Sequence, residues 1–468
     1  MTDNALTPPT TPAPLPPPTP LGPVAEPERI AALDVLRGVA IFGIFMVNMQ
    51  FFAMPMMELF APPLGDDAAT GDVVSWAVVK ALFEYKFISI FSMLFGMGMV
   101  VQMKRAEARG RPFAPVYLRR LLVLMLIGLA HALLFWYGDI LFAYSLVGLL
   151  VFVVMLFRPR AGVLLLLAAI GILLSLSIVG CFGALGAITG SKWGPGVAAH
   201  AEATPAAVEA EDKAEAGPEA GGPFVVEETD DRWDRVKAAF ERIKEQDLSG
   251  WREIEVIAYK EGPLSLALIV RAVTFGIIMT FMTLGGFMFR ITGMFLLGAA
   301  LMQLDFFART RRRWHWWMCA VGLPLGVAGE LLALSLLGAA GTTVTWGVAM
   351  ADPVHQVSSL LLCLGYVGTV TLIVNGGVLR WCTAVFAAVG RLALSNYLLQ
   401  TLVSTTLMYW WGLAWFADVS RPRQIALVLA IYAFQIVGSV LWLRIFSIGP
   451  FEWLWRSLTY LRPQPVLR

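Results

Sequence analysis

Long apolar runs separated by short polar segments dominate the chain. The runs cover Ala31–Phe51, Lys86–Met103, Leu121–Tyr137, Ile140–Phe157, Ala161–Ile188, Leu264–Leu304, Trp314–Leu337, Val354–Val374, Ala384–Trp411 and Gln424–Phe446. Most have 17 residues or more, and a helix of that length crosses a hydrocarbon core of about 30 Å. The runs are continuous and lack the period-two alternation of a membrane barrel strand. They predict an all-α, polytopic transmembrane bundle of about ten spans, with eleven as the alternative. Leu264–Leu304 decides between these counts. As one straight helix it would reach about 60 Å, twice the membrane. Two crossings would put Arg309, Arg311, Arg312 and Arg313 outside. One crossing plus an interfacial or re-entrant helix, broken near Gly285-Gly286 and Arg290, keeps ten spans.

Loop charges orient the spans. The 104–120 segment carries Lys104, Arg105, Arg109, Arg111, Arg119 and Arg120 against Glu107. By the positive-inside rule it faces the cytoplasm. The acidic 50–85 segment, with Glu58, Asp66, Asp67, Asp72 and Glu84, then falls outside, and both termini lie in the cytoplasm.

The polar remainder divides the chain further. Residues 1–30 form a Pro- and Thr-rich tail, expected to be disordered or extended. It lacks a basic start followed by an apolar core, so it does not read as a signal peptide. Residues 31–189 form an N-terminal five-helix half and 264–446 a C-terminal half. Between them lies an outward-facing insert, 190–263. Its first part is acidic. Its second part predicts an amphipathic helix, with Trp233, Val236, Phe240 and Ile243 at helical spacing. Residues 447–468, rich in Trp, Tyr and Arg, suit a membrane interface.

Composition agrees with this picture. Of 468 residues, 58% are hydrophobic and 15% charged, against about 25% charged in soluble proteins. A soluble enzyme is excluded. The net charge of +2 implies no nucleic-acid partner; the lipid bilayer is the partner implied. Cys181, Cys319, Cys363 and Cys382 form no C-x-x-C pair and have no His at zinc-ligand spacing, so no metal site is expected. There is no P-loop and no G-x-S-x-G or H-E-x-x-H motif.

The candidate chemistry lies in ionisable residues inside spans, which are costly to keep there. Asp34 and Arg37 are helical neighbours, and Arg37 and Asn48 share a face about 16 Å apart. An ion pair that merely neutralises itself explains Asp34 and Arg37 as well as a site does. Lys86 starts its span at the outer end, where it can also snorkel to the interface. His131 lies in the outer half of its span, Asp139 in a tight turn beyond it, and Tyr144 about one turn inside. A His and an Asp at one depth suit general-base chemistry, the carboxylate orienting the imidazole; an interhelical His is the plainer alternative. Glu330 falls within its span, and Asp352 and His355 begin the next. Arg391 lies toward the cytoplasm, and Asn396 and Gln400 share a face, as interhelical polar contacts or as ligand contacts.

Together LDVLRGVAIFGIFMVN, KFISIFSMLFGMG, RRLLVLMLIGLAHALLFWYGDILFAYSLVG, GRLALSNYLLQ and GPFEWLWRSLTY resemble the YeiB-like family of bacterial inner-membrane proteins. That family is similar to a transmembrane acyltransferase group that includes heparan-alpha-glucosaminide N-acetyltransferase. The resemblance implies a multi-pass protein of the bacterial inner membrane with no bound cofactor. Its co-substrate would be acyl-CoA, and its acceptor an envelope glycan, a lipid or a small molecule. Arg37, Arg119, Arg120 and Arg391 would lie on the donor side, and His131 and Asp139 at the catalytic centre. Asp34, Asn48, Lys86, Tyr144, Glu330, Asn396 and Gln400 complete the candidate pocket. The chain departs from the polysaccharide acyltransferases at one point. They carry a His 11 residues after the first-helix Arg, where this chain has Asn48. An amide cannot act as a base, so either His131 has that role or the reaction differs. A transporter using the same residues as a relay, and a structural membrane protein without turnover, are the alternatives.

Overall fold

The computed structural model describes residues 30–59, 63, 68–190, 231–245, 247–338 and 344–467. The Pro-rich tail up to residue 29, Asp66, Asp67 and the acidic run up to residue 230 lie outside the described residues.

The apolar runs fold as helices throughout. In chain order these are α1 (Ala31–Ala53), α2 (Met56–Leu59), α3 (Thr70–Leu82), α4 (Lys86–Ala108), α5 (Ala114–Leu134), α6 (Leu141–Leu156) and α7 (Ala161–Thr189). The insert supplies α8 (Arg232–Lys244) and α9 (Ser249–Val256), then one π-helical turn, Ile257–Glu261. The second half adds α10 (Leu264–Leu284), α11 (Phe287–Gln303), α12 (Arg312–Gly338), α13 (Trp346–Gly376), α14 (Arg380–Arg391), α15 (Ala393–Met408), α16 (Arg421–Ile445) and α17 (Pro450–Tyr460). Among the described residues the only β-type pairing is an isolated bridge between Phe446 and Leu467.

By length and composition eight helical segments can cross a membrane, or nine when α14 and α15, which meet at 78°, count as one broken span. Two shorter apolar helices, α6 and α11, complete the bundle. The protein is an all-α, multi-pass integral membrane protein. The long apolar stretch breaks where the glycines predict. Helix α10 ends at Leu284, and Gly286 takes a left-handed conformation (φ 83°) before α11 begins. A Cβ there would lie 3.1 Å from the Ser175 carbonyl oxygen, so α7 packs directly on the break.

The basic segments gather at one end of the bundle. Lys104 Nζ lies 3.7 Å from Asp305, which joins the 104–111 segment to the one leading into α12. We call this the basic end. The insert sits at the far end, tied down by ion pairs. Arg252 pairs with Glu58 at 2.7 Å and Lys260 with Asp418 at 2.6 Å. Arg235 grips Glu261 with two bonds of 3.0 and 3.1 Å, and Arg242 pairs with Glu253. On α8, Val236 and Ile243 pack inward and Ala239 is buried against Gly250, whereas Trp233 and Phe240 remain exposed. The inward stripe is thus 236, 239 and 243, because small Ala239 lets α9 approach closely.

One close packing contact sets the geometry of the basic end. Helices α1 and α14 touch backbone to backbone. A Cβ on Gly38 would lie 2.0 Å from the Phe386 carbonyl oxygen, and one on Gly390 would lie 1.9 Å from that of Asp34. Small residues permit such approach between membrane helices. Their chain neighbours, Arg37 and Arg391, are thereby brought to one place.

Candidate functional site

A cavity of about 220 Å³ opens at the basic end. Its mouth carries Arg37, Arg105, Arg120, Arg391 and Arg456. Helix α17 forms one wall. Trp455 donates from Nε1 to the Arg120 carbonyl oxygen at 2.9 Å, and the Arg120 guanidinium lies 3.8 Å from the Trp455 ring centroid. Glu452 anchors α17 by capping α15. Its Oε1 accepts from the Leu394 and Ser395 N–H groups at 2.6 and 3.1 Å. A carboxylate suits the positive end of a helix dipole. Burial raises the Glu452 carboxyl above its ordinary value, opposed by its bonds to Ser395.

Deeper in, the lining turns apolar, through Ile41, Ile44, Leu94 and Phe95, and ends on Ile140, Leu141 and Tyr397. The Tyr397 hydroxyl donates to Asp139 Oδ2 at 3.4 Å. His131 Nδ1 lies 2.7 Å from the same oxygen. Local structure builds this pair. Helix α5 stops just after His131, whose carbonyl oxygen accepts from both Phe135 and Trp136. The chain turns tightly, and Asp139 Oδ1 accepts from the Phe142 N–H at 2.8 Å in the first turn of α6. Both side chains are almost fully buried, at 4% and 1% exposed.

The Asp139 oxygen is an acceptor, so the Nδ1-protonated tautomer of His131 is the one that satisfies this contact. Nε2 then presents its lone pair, and the Thr401 hydroxyl lies 3.0 Å from it. The order is hydroxyl, imidazole, carboxylate, which is the order in which a base withdraws a proton from a hydroxyl.

The other expected residues fall in three places. Asp34 lines the cavity and pairs with Arg37 at 2.7 Å. Arg119 and Asn48 do not line it. Asn396 and Gln400 join helices instead. Asn396 donates to Ser439 at 3.0 Å, Gln400 to Gln435 at 2.9 Å, and Gln435 back to the Asn396 carbonyl oxygen. Tyr144, fully buried, donates to the Ile88 carbonyl oxygen at 2.9 Å. Lys86 and Glu330 meet at 2.8 Å in a separate cluster nearer the far end, where His355 Nδ1 lies 2.7 Å from the other Glu330 oxygen. Arg290 braces this cluster, donating to Ser89, Ser359 and the Gln356 carbonyl oxygen.

Tyr397, Thr401, Glu452 and Trp455 belong to the site but not to the expected set. Tyr397 and Thr401 are four apart, like Asn396 and Gln400, on the neighbouring stripe of α15. That spacing is visible in the sequence; which stripe faces the cavity is not.

A bundle with an arginine-ringed cavity above a buried His–Asp pair defines a polytopic membrane protein with a candidate site within its helices. The family described as "Protein of unknown function (DUF418)" matches residues 301–462. The chain is 32% identical over 460 residues to the uncharacterized protein YxaH of Bacillus subtilis (strain 168), covering 96% of this chain and 98% of that one. It is 29% identical over 451 residues to the uncharacterized protein YeiB of Escherichia coli (strain K12), covering 94% and 98%. The chain belongs to the YeiB-like family. No solved structure matches it.

Proposed function

We propose that the protein is an acyltransferase of the bacterial inner membrane, taking an acyl group from acyl-CoA at the basic end and delivering it to an acceptor that enters from the far end. The observation that carries this reading is the cavity itself: five arginines at its mouth, an apolar shaft, and a floor whose Tyr397 contacts Asp139.

Guanidinium groups bind phosphate oxygens in bidentate fashion. Arg37, Arg105, Arg120, Arg391 and Arg456 would hold the phosphates of the donor's nucleotide, which stays at the mouth. The narrow shaft would admit the slender thioester arm. His131 would take the proton from the acceptor's nucleophile at Nε2, the position now held by the Thr401 hydroxyl, while Asp139 stabilises the imidazolium. Departing thiolate would then receive that proton. Tyr397, between cavity floor and dyad, would donate a hydrogen bond to the developing oxyanion as its contact to Asp139 loosens.

The test is CoA release from acetyl-CoA by the purified protein in vesicles supplied with candidate acceptors. Wild-type protein should release free thiol, and His131→Ala and Asp139→Asn should not. Equal release by all three would sink the mechanism.

The Lys86–Glu330–His355 cluster favours a second reading. Buried ionisable groups in contact also build proton relays in transporters. A proton-gradient-dependent uptake into vesicles that Glu330→Gln abolishes would support transport over acyl transfer.

A further inference from the structure

About two turns into α10 from the insert lies Arg271, fully buried. Its Nη1 donates to the Leu134 carbonyl oxygen, one turn beyond His131. Nε and Nη2 are buried and meet no acceptor at hydrogen-bond geometry among the described residues. No carboxylate forms an ion pair with this guanidinium among them. Nε and Nη2 together form the side-on fork of the group, whose two parallel N–H vectors match the two oxygens of a carboxylate or phosphate.

The surroundings repeat the pattern. The guanidinium carbon lies 5.8, 5.6 and 5.1 Å from the ring centroids of Tyr259, Tyr409 and Trp411. The Tyr259 and Tyr409 rings stack at 4.7 Å; the buried Tyr259 hydroxyl faces Arg271, and neither hydroxyl meets a partner at full hydrogen-bond geometry among the described residues. Buried polar groups are nearly always satisfied, so a guanidinium fork flanked by two phenol hydroxyls is a donor set suited to an anionic group. Glu255, the acid on the same roof, does not supply the charge. Its Oε2 accepts from the Met56 N–H at 2.9 Å, and burial pushes the carboxyl up to about 8.

We infer that Arg271, with Tyr259 and Tyr409, forms an oxyanion-binding site, closed by the π-helical end of the insert, that holds a carboxylate or phosphate group of a small molecule entering from the far end. On the acyl-transfer reading this group belongs to the acceptor, since the site lies one turn from His131; binding of the anion does not itself need that reading.

The experiment is thermal unfolding of the full-length protein in lipid nanodiscs, titrated with acetate or with inorganic phosphate against chloride at constant ionic strength. No acyl-CoA is present, so this test and the thiol-release test can fail separately. Wild-type protein should be stabilised saturably by acetate or phosphate, and the better of the two identifies the ligand's acidic group. Arg271→Lys keeps the charge but loses the fork, and should weaken the response at least about tenfold. Should it fail to fold, Tyr409→Phe, which keeps the stacked ring, reads the same site and should weaken the response several-fold. The proposal is overturned if neither anion stabilises the wild type, or if a folded Arg271→Lys or Tyr409→Phe responds as the wild type does.

Discussion

The Tyr397 hydroxyl lies 3.4 Å from Asp139 Oδ2, the same oxygen that His131 Nδ1 approaches at 2.7 Å. Tyr397 lines the cavity floor, whereas His131 and Asp139 lie behind it. One phenol thus joins the basic end to the buried dyad. A Tyr397→Phe variant should bind acyl-CoA as wild type but turn it over about a hundredfold to a thousandfold more slowly, because an oxyanion donor acts mainly in the transition state. Single-turnover rates beside equilibrium binding separate the two effects.

The Thr401 hydroxyl gives a second prediction. It holds the place of an acceptor hydroxyl, so Thr401→Val should retain turnover, with a changed acceptor KM. Loss of turnover in Thr401→Val, rescued by Thr401→Ser, would instead make Thr401 a direct participant.

Gly38 and Gly390 bring two helix backbones into contact. Gly390→Ala should destabilise by about 1–3 kcal/mol through overpacking. It should also weaken acyl-CoA binding, because Arg37 and Arg391 separate. Thermal unfolding and donor titration of the same variant check both.

The Lys86–Glu330 pair is buried on both sides. Removing one partner strands the other charge, at a cost of roughly 3–5 kcal/mol. Lys86→Met should therefore lower the unfolding temperature markedly, and the double variant Lys86→Met, Glu330→Met should recover much of the loss. On the acyl-transfer reading neither change alters donor affinity in protein that folds.

Glu255 makes the docking of α9 sensitive to pH. Burial raises its carboxyl from 4.5 to about 8, so the folded form holds a proton that the undocked form releases. Stability from this group is full below about 4.5, declines as pH rises, and is lost through about 8. The hydrogen-exchange protection factors of residues 249–261, which already allow for the base-catalysed intrinsic rate, should therefore fall between pH 6 and 9 in wild-type protein. Glu255→Gln, which can still accept from Met56 N–H, should remove that dependence.

Much of this was legible in the sequence, for identifiable reasons. Run lengths give the helical class, and Gly285-Gly286 marks the break between α10 and α11. His131 and Asp139 stood out because eight residues and a tight turn leave them at one depth. Lys86, Glu330 and His355 were each visible as costly residues, but their contact spans three helices and depends on packing. Asn396 and Gln400 are conspicuous for their polarity, yet it is Tyr397, on the stripe beside them, that lines the cavity. Arg271 was hidden inside an apolar run, because its importance lies in what its guanidinium lacks.

The most direct measurement is a calorimetric titration of the purified protein with acetyl-CoA. Wild-type protein should bind saturably at one site, Arg37→Gln and Arg120→Gln should each bind roughly 10- to 100-fold more weakly, the worth of a charge-assisted phosphate contact, and His131→Ala should bind as wild type. Absence of binding to wild-type protein, or equal affinity in the arginine variants, would contradict the account.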